Sequence, residues 1–376
     1  MPKIILVSRC AWTLYNFRAG LMRELKKRGW TVLGGGAGGD GFEDKVEALG
    51  VPFVPLPVDK KGINPIADLK LLWTLYRWYR KERPDIVHHF TIKPVIYGSI
   101  AGHLAGVPRI VNMITGLGFV FMGEAKPWLR KLAEWLYRMA LKHAHFTFFQ
   151  NSEDQNLFLE RRLLAPEKAG LLPGSGVDLG HFTPGADDRR RNTDKSIRFL
   201  MVARLLRDKG VYEYVEAARI VKACHAQVQF QILGARDERN PTVVPESELD
   251  RWQNEGVIAW LGEVEDVRPF LNEADVVALP SYREGLPRSL LEAAAMAKPI
   301  ITTDTVGCRD VVADGVNGLL VPVKDSVALA QAMIRMIENP DMQERMGRAG
   351  RVKVEKEFDE RLVIEKTLAV YETANL

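Results

Sequence analysis

Hydrophobic and polar positions along this chain switch between two periods, and the whole pattern is used twice. In the first half, apolar runs of strand length at Ile4–Val7, Ile86–His89, Arg109–Ile114 and Phe146–Phe149 alternate with stretches of 3.6-residue period near Tyr15–Gly29, Pro65–Glu82, Pro94–Ala105 and Pro127–His143. Runs at Ile197–Val202, Val228–Leu233, Val257–Leu261, Asp275–Leu279, Pro299–Thr302 and Gly318–Val321 repeat the arrangement in the second half. Continuous apolar strands, each followed by a helix, predict parallel sheets covered on both faces. The expected fold class is α/β, with two doubly wound Rossmann-like domains facing a cleft. Breaker-rich Pro173–Gly176 and Thr183–Gly185, followed by polar Asp187–Lys195, predict a linker over 174–195 between a first domain, 1–173, and a second, 196–359. The last segments, Ser326–Glu338, Met342–Lys356 and Glu360–Glu372, read as consecutive helices.

Composition narrows the class. With 376 residues, 47% of them hydrophobic, the chain can bury two large cores. Cys10, Cys224 and Cys308 are far apart and show neither metal-ligand spacing nor a disulfide framework, which points to a reducing cytoplasm. The apolar start Ile4–Val7 is too short for a signal peptide, and no run approaches membrane-spanning length. The net charge of +4 hides an asymmetry: residues 1–184 hold 25 Lys+Arg against 16 Asp+Glu, a net +9, and the remainder 27 against 32, a net −5. A basic first half fits an anionic membrane surface or an acidic substrate. Nucleic acid is not the expected partner, since no recognised binding motif or long basic tract is present.

The densest chemistry lies in Ser281–Glu292. Asp275–Leu279 is a strand, Pro280–Gly285 a turn, and Pro287 suits the first position of a helix continuing to Ala297. Such a helix start offers N–H groups and a positive dipole end to an anion such as a diphosphate. Glu284 precedes the helix, and Glu292 lies about 7–8 Å inside it at about 1.5 Å per residue. Ionised carboxylates only accept hydrogen bonds, so beside a diphosphate their natural partners are the hydroxyls of a nucleotide sugar. The competing reading makes Glu284 a solvated loop charge and Glu292 a partner of the helix dipole. Arg204 and Lys209, in the loop after the first strand of the second domain, are candidate cations for the same diphosphate. Their competing reading is a solvated turn.

Glu284 and Glu292 with seven residues between them, Arg204, Lys209-Gly210, Gly174–Asp178 with Phe182–Pro184, and Asp314–Val321 together resemble the retaining family 4 glycosyltransferases over nearly the whole chain. The resemblance implies a GT-B fold, a donor in the second domain, an acceptor in the first, no metal or other cofactor, and a last helix (360–376) that crosses back to the first domain. It also implies that Glu284 faces the donor sugar, Glu292 holds the ribose, and Arg204 and Lys209 bind the diphosphate of a UDP-sugar. The backbone of Gly285, Leu286 and Pro287 would line that pocket, Pro287 with its carbonyl alone. No carboxylate can be assigned as a nucleophile for double displacement. The resemblance instead implies reaction on the donor's own face, with Arg204, Lys209 and Glu284 as the catalytic set.

Phe90–Gly98, Thr115–Gly118, Asn16–Arg18 and Gly234–Pro241 are similar to a narrower branch that adds sugars, often an N-acetylhexosamine, to polyprenyl-diphosphate-linked saccharides in bacterial surface polysaccharide or protein-glycan assembly. Arg18, His88, His89 and Lys93, each read as following a strand end, are the candidates to meet an acceptor diphosphate, with Thr115 and Gly116 beside them. A histidine so placed is more often structural than catalytic. A lipid-held acceptor implies a protein of the cytoplasm that is peripheral at the inner face of the cell membrane. Lys126–Lys142 and Lys70–Arg83 mix large apolar and basic residues at helical spacing, as interfacial helices do, or else pack on the sheet.

Two apparent motifs are discounted. The glycine run Gly34–Gly41 follows a second strand near Thr31–Leu33 rather than the first, so it is read as a mobile loop and not as a dinucleotide site. Asp304 and Asp310 are read as turn and helix-cap residues. Two other functions remain open at this level: a nucleotide-sugar epimerase of the same architecture, and a non-catalytic sugar-nucleotide-binding protein.

Overall fold

The computed structural model describes residues 1–59, 64–117, 121, 126–185, 196–238 and 240–373. They divide into two compact units, one of Met1–Ser175 with the C-terminal segment from Arg361, the other of Gly176–Glu360. The first unit runs β1 (Lys3–Cys10), α1 (Ala11–Lys27), β2 (Thr31–Ala37), α2 (Glu43–Glu47), β3 (Phe53–Pro55), α3 (Pro65–Glu82), β4 (Ile86–Phe90), α4 (Ser99–Ala105), β5 (Arg109–Ile114), α5 (Pro127–Lys142), β6 (Phe146–Phe149), α6 (Ser152–Glu160) and β7 (Ala169–Leu171). The second runs β8 (Arg198–Val202), α7 (Val211–Cys224), β9 (Gln229–Leu233), α8 (Glu246–Asn254), β10 (Ala259–Trp260), α9 (Arg268–Glu273), β11 (Val276–Leu279), α10 (Arg288–Ala295), β12 (Ile300–Thr303), α11 (Cys308–Val311), β13 (Gly318–Val321), α12 (Ser326–Glu338) and α13 (Pro340–Glu357). The last helix, α14 (Glu360–Glu372), packs with the first unit.

Both sheets are parallel and doubly wound, in the orders β3-β2-β1-β4-β5-β6-β7 and β10-β9-β8-β11-β12-β13. The strand order reverses between β1 and β4 in one unit and between β8 and β11 in the other. The carboxyl ends of those strand pairs are where open α/β sheets leave room for a ligand.

Side-chain alternation assigns the layers of the first unit. Ile5, Val7, Val87 and Ile110 point at α3 and α4, while Ile114 and the neighbouring Phe149 meet α5. Ile4, Leu6, Val111 and Met113 point the other way, at α1 and α14. Helices α3, α4 and α5 therefore cover one face of the sheet. On the opposite face α14 buries Val363, Ile364, Leu368 and Tyr371, and Arg28 at the end of α1 pairs with its Glu365 at 2.5 Å and Glu372 at 3.3 Å.

Four expectations need correction. The stretch 174–185 is not free-standing linker: Val177 and Phe182 are buried in the second unit's core, and Val177 exchanges backbone hydrogen bonds with Phe358 and Glu360. The polar remainder, 186–195, lies outside the described residues, as do Gly118 and Arg239 of the acceptor-branch motifs. The Pro94–Ala105 helix is continuous but not α-helical throughout: it opens with a π-helical turn, Pro94–Gly98, that runs directly into α4, and Gly98 passes so close to His89 that a Cβ would sit 2.4 Å from the imidazole. Helix α1 begins at Ala11, because Thr13 reaches back to cap Cys10. The glycine run is no loop at its start: Gly34, Gly35 and Gly36 are internal to β2, all three paired to β3 and the first two also to β1.

The reason is crowding. A Cβ on Gly35 would lie 2.7 Å from the buried Trp78 ring of α3, and one on Gly36 would lie 2.9 Å from the Ser8 carbonyl oxygen of β1. Gly35→Ala is accordingly expected to destabilise the first unit by about 1–3 kcal/mol through overpacking. Urea unfolding followed by tryptophan fluorescence measures it, and an unchanged midpoint would show that Trp78 can move aside.

Candidate functional site

In the second unit, β8 and β11 are hydrogen-bonded neighbours, with Val276 opposite Phe199 and Val277 opposite Leu200. The loops that leave these two strands therefore meet at the sheet's reversal point. After β8 the chain is anchored by buried Leu205 and Leu206, makes a short 3-10 turn at Arg207–Lys209, and enters α7 through Gly210. Gly210 has φ +76°, and a Cβ there would lie 2.1 Å from the Pro280 carbonyl oxygen, so only glycine lets this loop close on the end of β11. The closure puts Lys209 Nζ 2.5 Å from Glu284 Oε1, with each side chain only 15% exposed.

Glu284 is held from other sides too. Ser281, fully buried, lies with its hydroxyl 2.8 Å from the same carboxylate oxygen and 3.1 Å from the Asp208 carbonyl. The Tyr282 amide donates to that carbonyl as well, at 2.9 Å. From the neighbouring β12 Thr303 donates to the Ser281 carbonyl, and from the turn after it Thr305 donates to that of Tyr282, while the Glu284 amide donates to the Val306 carbonyl. Gly307, at φ +79°, leaves its missing Cβ 2.7 Å from the carbonyls of both Glu284 and Gly285. Next along the chain, burial pushes the Cys308 thiol up to about 12, helped by the Glu284 charge. The strap of Thr303, Thr305 and Gly307 was not anticipated from the sequence, where its only trace is a pair of threonines and a glycine after an apolar strand.

Pro287 is the residue before the helix rather than its first turn: its ψ of 110° is extended, and α10 ends at Ala295, before left-handed Ala297. Pro287, at the N-cap, has no side chain able to cap this helix start. Leu286 packs against the second unit's core. Glu292 lies on the second turn, 12% exposed, with Oε1 2.8 Å from Arg288 Nε. Burial pushes its carboxyl above the ordinary carboxylate range, against the pull of Arg288. Lys209, Glu284 and Ser281 are thus brought together, with Arg288 and Glu292 as a second pair along α10. Arg204 is not part of that contact: it is half exposed and reaches Asp237 at 3.6 Å. Asp304 pairs with Arg309, and Asp310 caps α11 by accepting from the Gly307 amide at 3.1 Å.

In the first unit the acceptor candidates separate. Lys93 does follow a strand end, after Thr91 in a left-handed conformation at φ +72°, a strained state for a β-branched residue. Its ammonium lies 2.8 Å from the buried Asp68 carboxylate, which also accepts from the Tyr97 hydroxyl at 3.0 Å. Thr115 and Gly116 leave the end of β5, Gly116 at φ +126°. The other three do not follow strand ends. His88 and His89 lie inside β4 and are fully buried, because a parallel strand is covered on both faces and both histidines point into packed layers. Arg18 is on the third turn of α1, buried, with its guanidinium 4.2 Å above the Phe90 ring.

His88 Nδ1 meets the Tyr371 hydroxyl of α14, and burial with the Arg18 charge pushes its pKa well below the usual histidine range. His89 donates from Nδ1 to Asn112 Oδ1 at 2.9 Å and accepts at Nε2 from the Tyr79 hydroxyl at 3.0 Å. That neutral tautomer stitches β4 to β5 and α3.

Two family models match the chain: "Glycosyl transferase 4-like domain" over residues 17–174 and "Glycosyl transferases group 1" over 196–339, together most of its length. The chain belongs to the group 1 glycosyltransferases. It is 26% identical, over 98% of both chains, to the N,N'-diacetylbacillosaminyl-diphospho-undecaprenol alpha-1,3-N-acetylgalactosaminyltransferase of Campylobacter jejuni. It is 28% identical to the UDP-Gal:alpha-D-GlcNAc-diphosphoundecaprenol alpha-1,3-galactosyltransferase of Escherichia coli, over 80% of this chain and 77% of that one. Among solved structures it resembles Anabaena HepE in complex with UDP and glucose, with a TM-score of 0.80 at 17% identity, covering 99% of this chain and 100% of that one. The fold is GT-B.

In this glycosyltransferase the group 1 region contains Arg204, Lys209, Glu284 and Glu292, and the 4-like region contains all six acceptor candidates. Among the described residues no group of three or more His, Cys, Asp or Glu side chains is arranged to hold a metal ion. His89 gives a pH signature. Burial lowers its folded pKa from 6.5 to about 4, so its contribution to stability is complete above pH 6.5 and is lost as pH falls from there towards 4, roughly 3 kcal/mol in all. His89→Gln should flatten that part of the stability curve in urea titrations between pH 7 and 4.5, and an equally steep curve in the variant would remove the assignment.

Proposed function

We propose that the chain transfers a hexose or N-acetylhexosamine from a UDP-sugar to a polyprenyl-diphosphate-linked saccharide, with retention and without a metal, in bacterial surface polysaccharide or glycan assembly. The observation that carries the donor side is the Lys209–Glu284–Ser281 contact at the reversal point of the second sheet, beside the start of α10. The relatives of Campylobacter jejuni and Escherichia coli support the acceptor class, and HepE with UDP and glucose supports the donor class. A lipid-held acceptor and a UDP-linked donor meet at the inner face of the cell membrane. No helix among the described residues is long and apolar enough to cross that membrane.

The residues then divide the work. As the diphosphate seats at the start of α10, Lys209 turns from Glu284 to the phosphate, and Arg204 adds a second cation from the same loop. Glu284 is released to accept from the sugar hydroxyls, and Glu292 from the ribose. The acceptor hydroxyl oxygen bonds to the anomeric carbon on the face from which the diphosphate leaves. The bond from that carbon to the diphosphate oxygen breaks, its electron pair stays with UDP, and the acceptor's proton ends on a phosphate oxygen. The protein's part is positioning and stabilisation of charge on the leaving group.

Lys209→Ala and Glu284→Ala should each lower turnover by roughly 10²-fold or more. Arg204→Ala should act more weakly and mainly on the KM for donor, since that side chain is half exposed. Retained turnover in both Arg204→Ala and Lys209→Ala would remove the diphosphate assignment. Incubating the protein with several UDP-sugars, with and without a polyprenyl-diphosphate saccharide, tests the reaction itself. A glycosylated lipid that forms only with both substrates is the expected result, whereas interconversion of the free donor would make the chain an epimerase.

A further inference from the structure

Helix α5 is apolar on two opposite sides. Its inward side, with Ala133, Tyr137, Ala140 and Leu141, is buried against the sheet and its neighbours. Trp128, Leu132, Trp135 and Met139 fall within a sector of about 60° directly opposite Tyr137, at about 100° per residue. All four are exposed, the two tryptophans by 59% and 52%. Packing on the sheet therefore accounts for one side of this helix and leaves the other unexplained.

The neighbouring helices present the same chemistry on the same side. Since α3, α4 and α5 cover one face of the sheet, with α4 packed against both others, their outward sides point in a common direction. On α3, Ile66, Leu69 and Trp73 are 81%, 63% and 60% exposed, and on α4 Leu104 is 59% exposed.

Charge selects the partner. Lys131, Arg138 and Lys142 flank the α5 stripe and are exposed, as are Arg77, Arg80 and Lys81 on the second half of α3. The acids of these helices are engaged elsewhere: Glu134 with Arg161, Glu82 with Lys3, and buried Asp68 with Lys93. A peptide would seat in one groove between two helices. Aromatic and aliphatic side chains spread over three side-by-side helices, with cations at their margin, fit a flat anionic surface that tryptophan rings can enter.

We propose that the outward side of α3, α4 and α5 docks on an anionic lipid bilayer, with Trp128 and Trp135 inserted at the headgroup level. The inference rests on the reading of a lipid-held acceptor for its purpose, but its test does not. The full chain is floated with vesicles of pure phosphatidylcholine, or of phosphatidylcholine with about a third phosphatidylglycerol, with no donor or acceptor present. Expected are flotation with the anionic vesicles, a fall at high salt, and at least a tenfold loss of the bound fraction in Trp128→Ser/Trp135→Ser. The same variant should keep its thermal unfolding midpoint, and its transfer to a water-soluble short-chain diphosphate acceptor should be unchanged.

No flotation of the unaltered chain on anionic vesicles, or undiminished flotation of the variant, overturns the proposal. So does a dimer that the variant abolishes without any vesicle binding, which would make the stripe an interface between copies. Flotation without any sugar transfer would leave the docking surface standing and remove the proposed reaction, while transfer without flotation would do the reverse.

Discussion

One backbone approach sets the proposed donor side of this glycosyltransferase: Gly210 against the carbonyl of Pro280. Strands β8 and β11 are adjacent because the chain reverses direction across the sheet at that point, but adjacency alone would leave their loops some way apart. The missing Cβ lets the loop after β8 close onto the loop after β11, and the Lys209–Glu284 pair follows from that closure. Ser281, Thr303, Thr305 and Gly307 then fix Glu284 from the other sides, so the carboxylate is placed by three segments, the loops after β8, β11 and β12. Such a group loses little freedom when a ligand arrives.

Strand and helix positions were largely legible, because burial on both faces of a parallel sheet leaves unbroken apolar runs; β5, β6 and β13 match the pattern residue for residue. The loops that carry the proposed donor residues were legible for a related reason. Polar, breaker-rich segments after apolar runs are the loops at strand ends, and Lys209 and Glu284 lie in the loops that follow β8 and β11. What the pattern does not carry is the contact between elements: nothing in the spacing of Lys209 and Glu284, 75 residues apart, says that they pair with each other rather than with a ligand.

The same logic explains where reading by position failed. His88 and His89 look polar enough to mark the end of β4, yet the strand runs through them to Phe90, and each imidazole is absorbed by a buried partner on its own side, Tyr371 on one and Asn112 with Tyr79 on the other. Gly34–Gly36 failed for the opposite reason: glycines read as a flexible break, but their missing side chains make room for Trp78 and for the backbone of β1. A polar residue whose partner is distant in sequence, or a glycine whose neighbour is large, cannot be interpreted from its own segment alone.

The donor-side ion pairs also bear on how a donor could enter so crowded a site. Lys209 with Glu284 and Arg288 with Glu292 each satisfy a largely buried carboxylate, and removing one partner from such a pair leaves an uncompensated charge. A nucleotide sugar avoids that penalty, because it brings an anion and hydroxyls together. On the proposed reading, Lys209 exchanges a carboxylate for a phosphate while Glu284 exchanges an ammonium for hydroxyls, so one charge-assisted contact is replaced by two and neither group is stranded. A bare diphosphate supplies only half of that exchange, and a free sugar only the other half. Under the proposed function, the paired arrangement therefore discriminates for the intact donor before any sugar-specific contact is made.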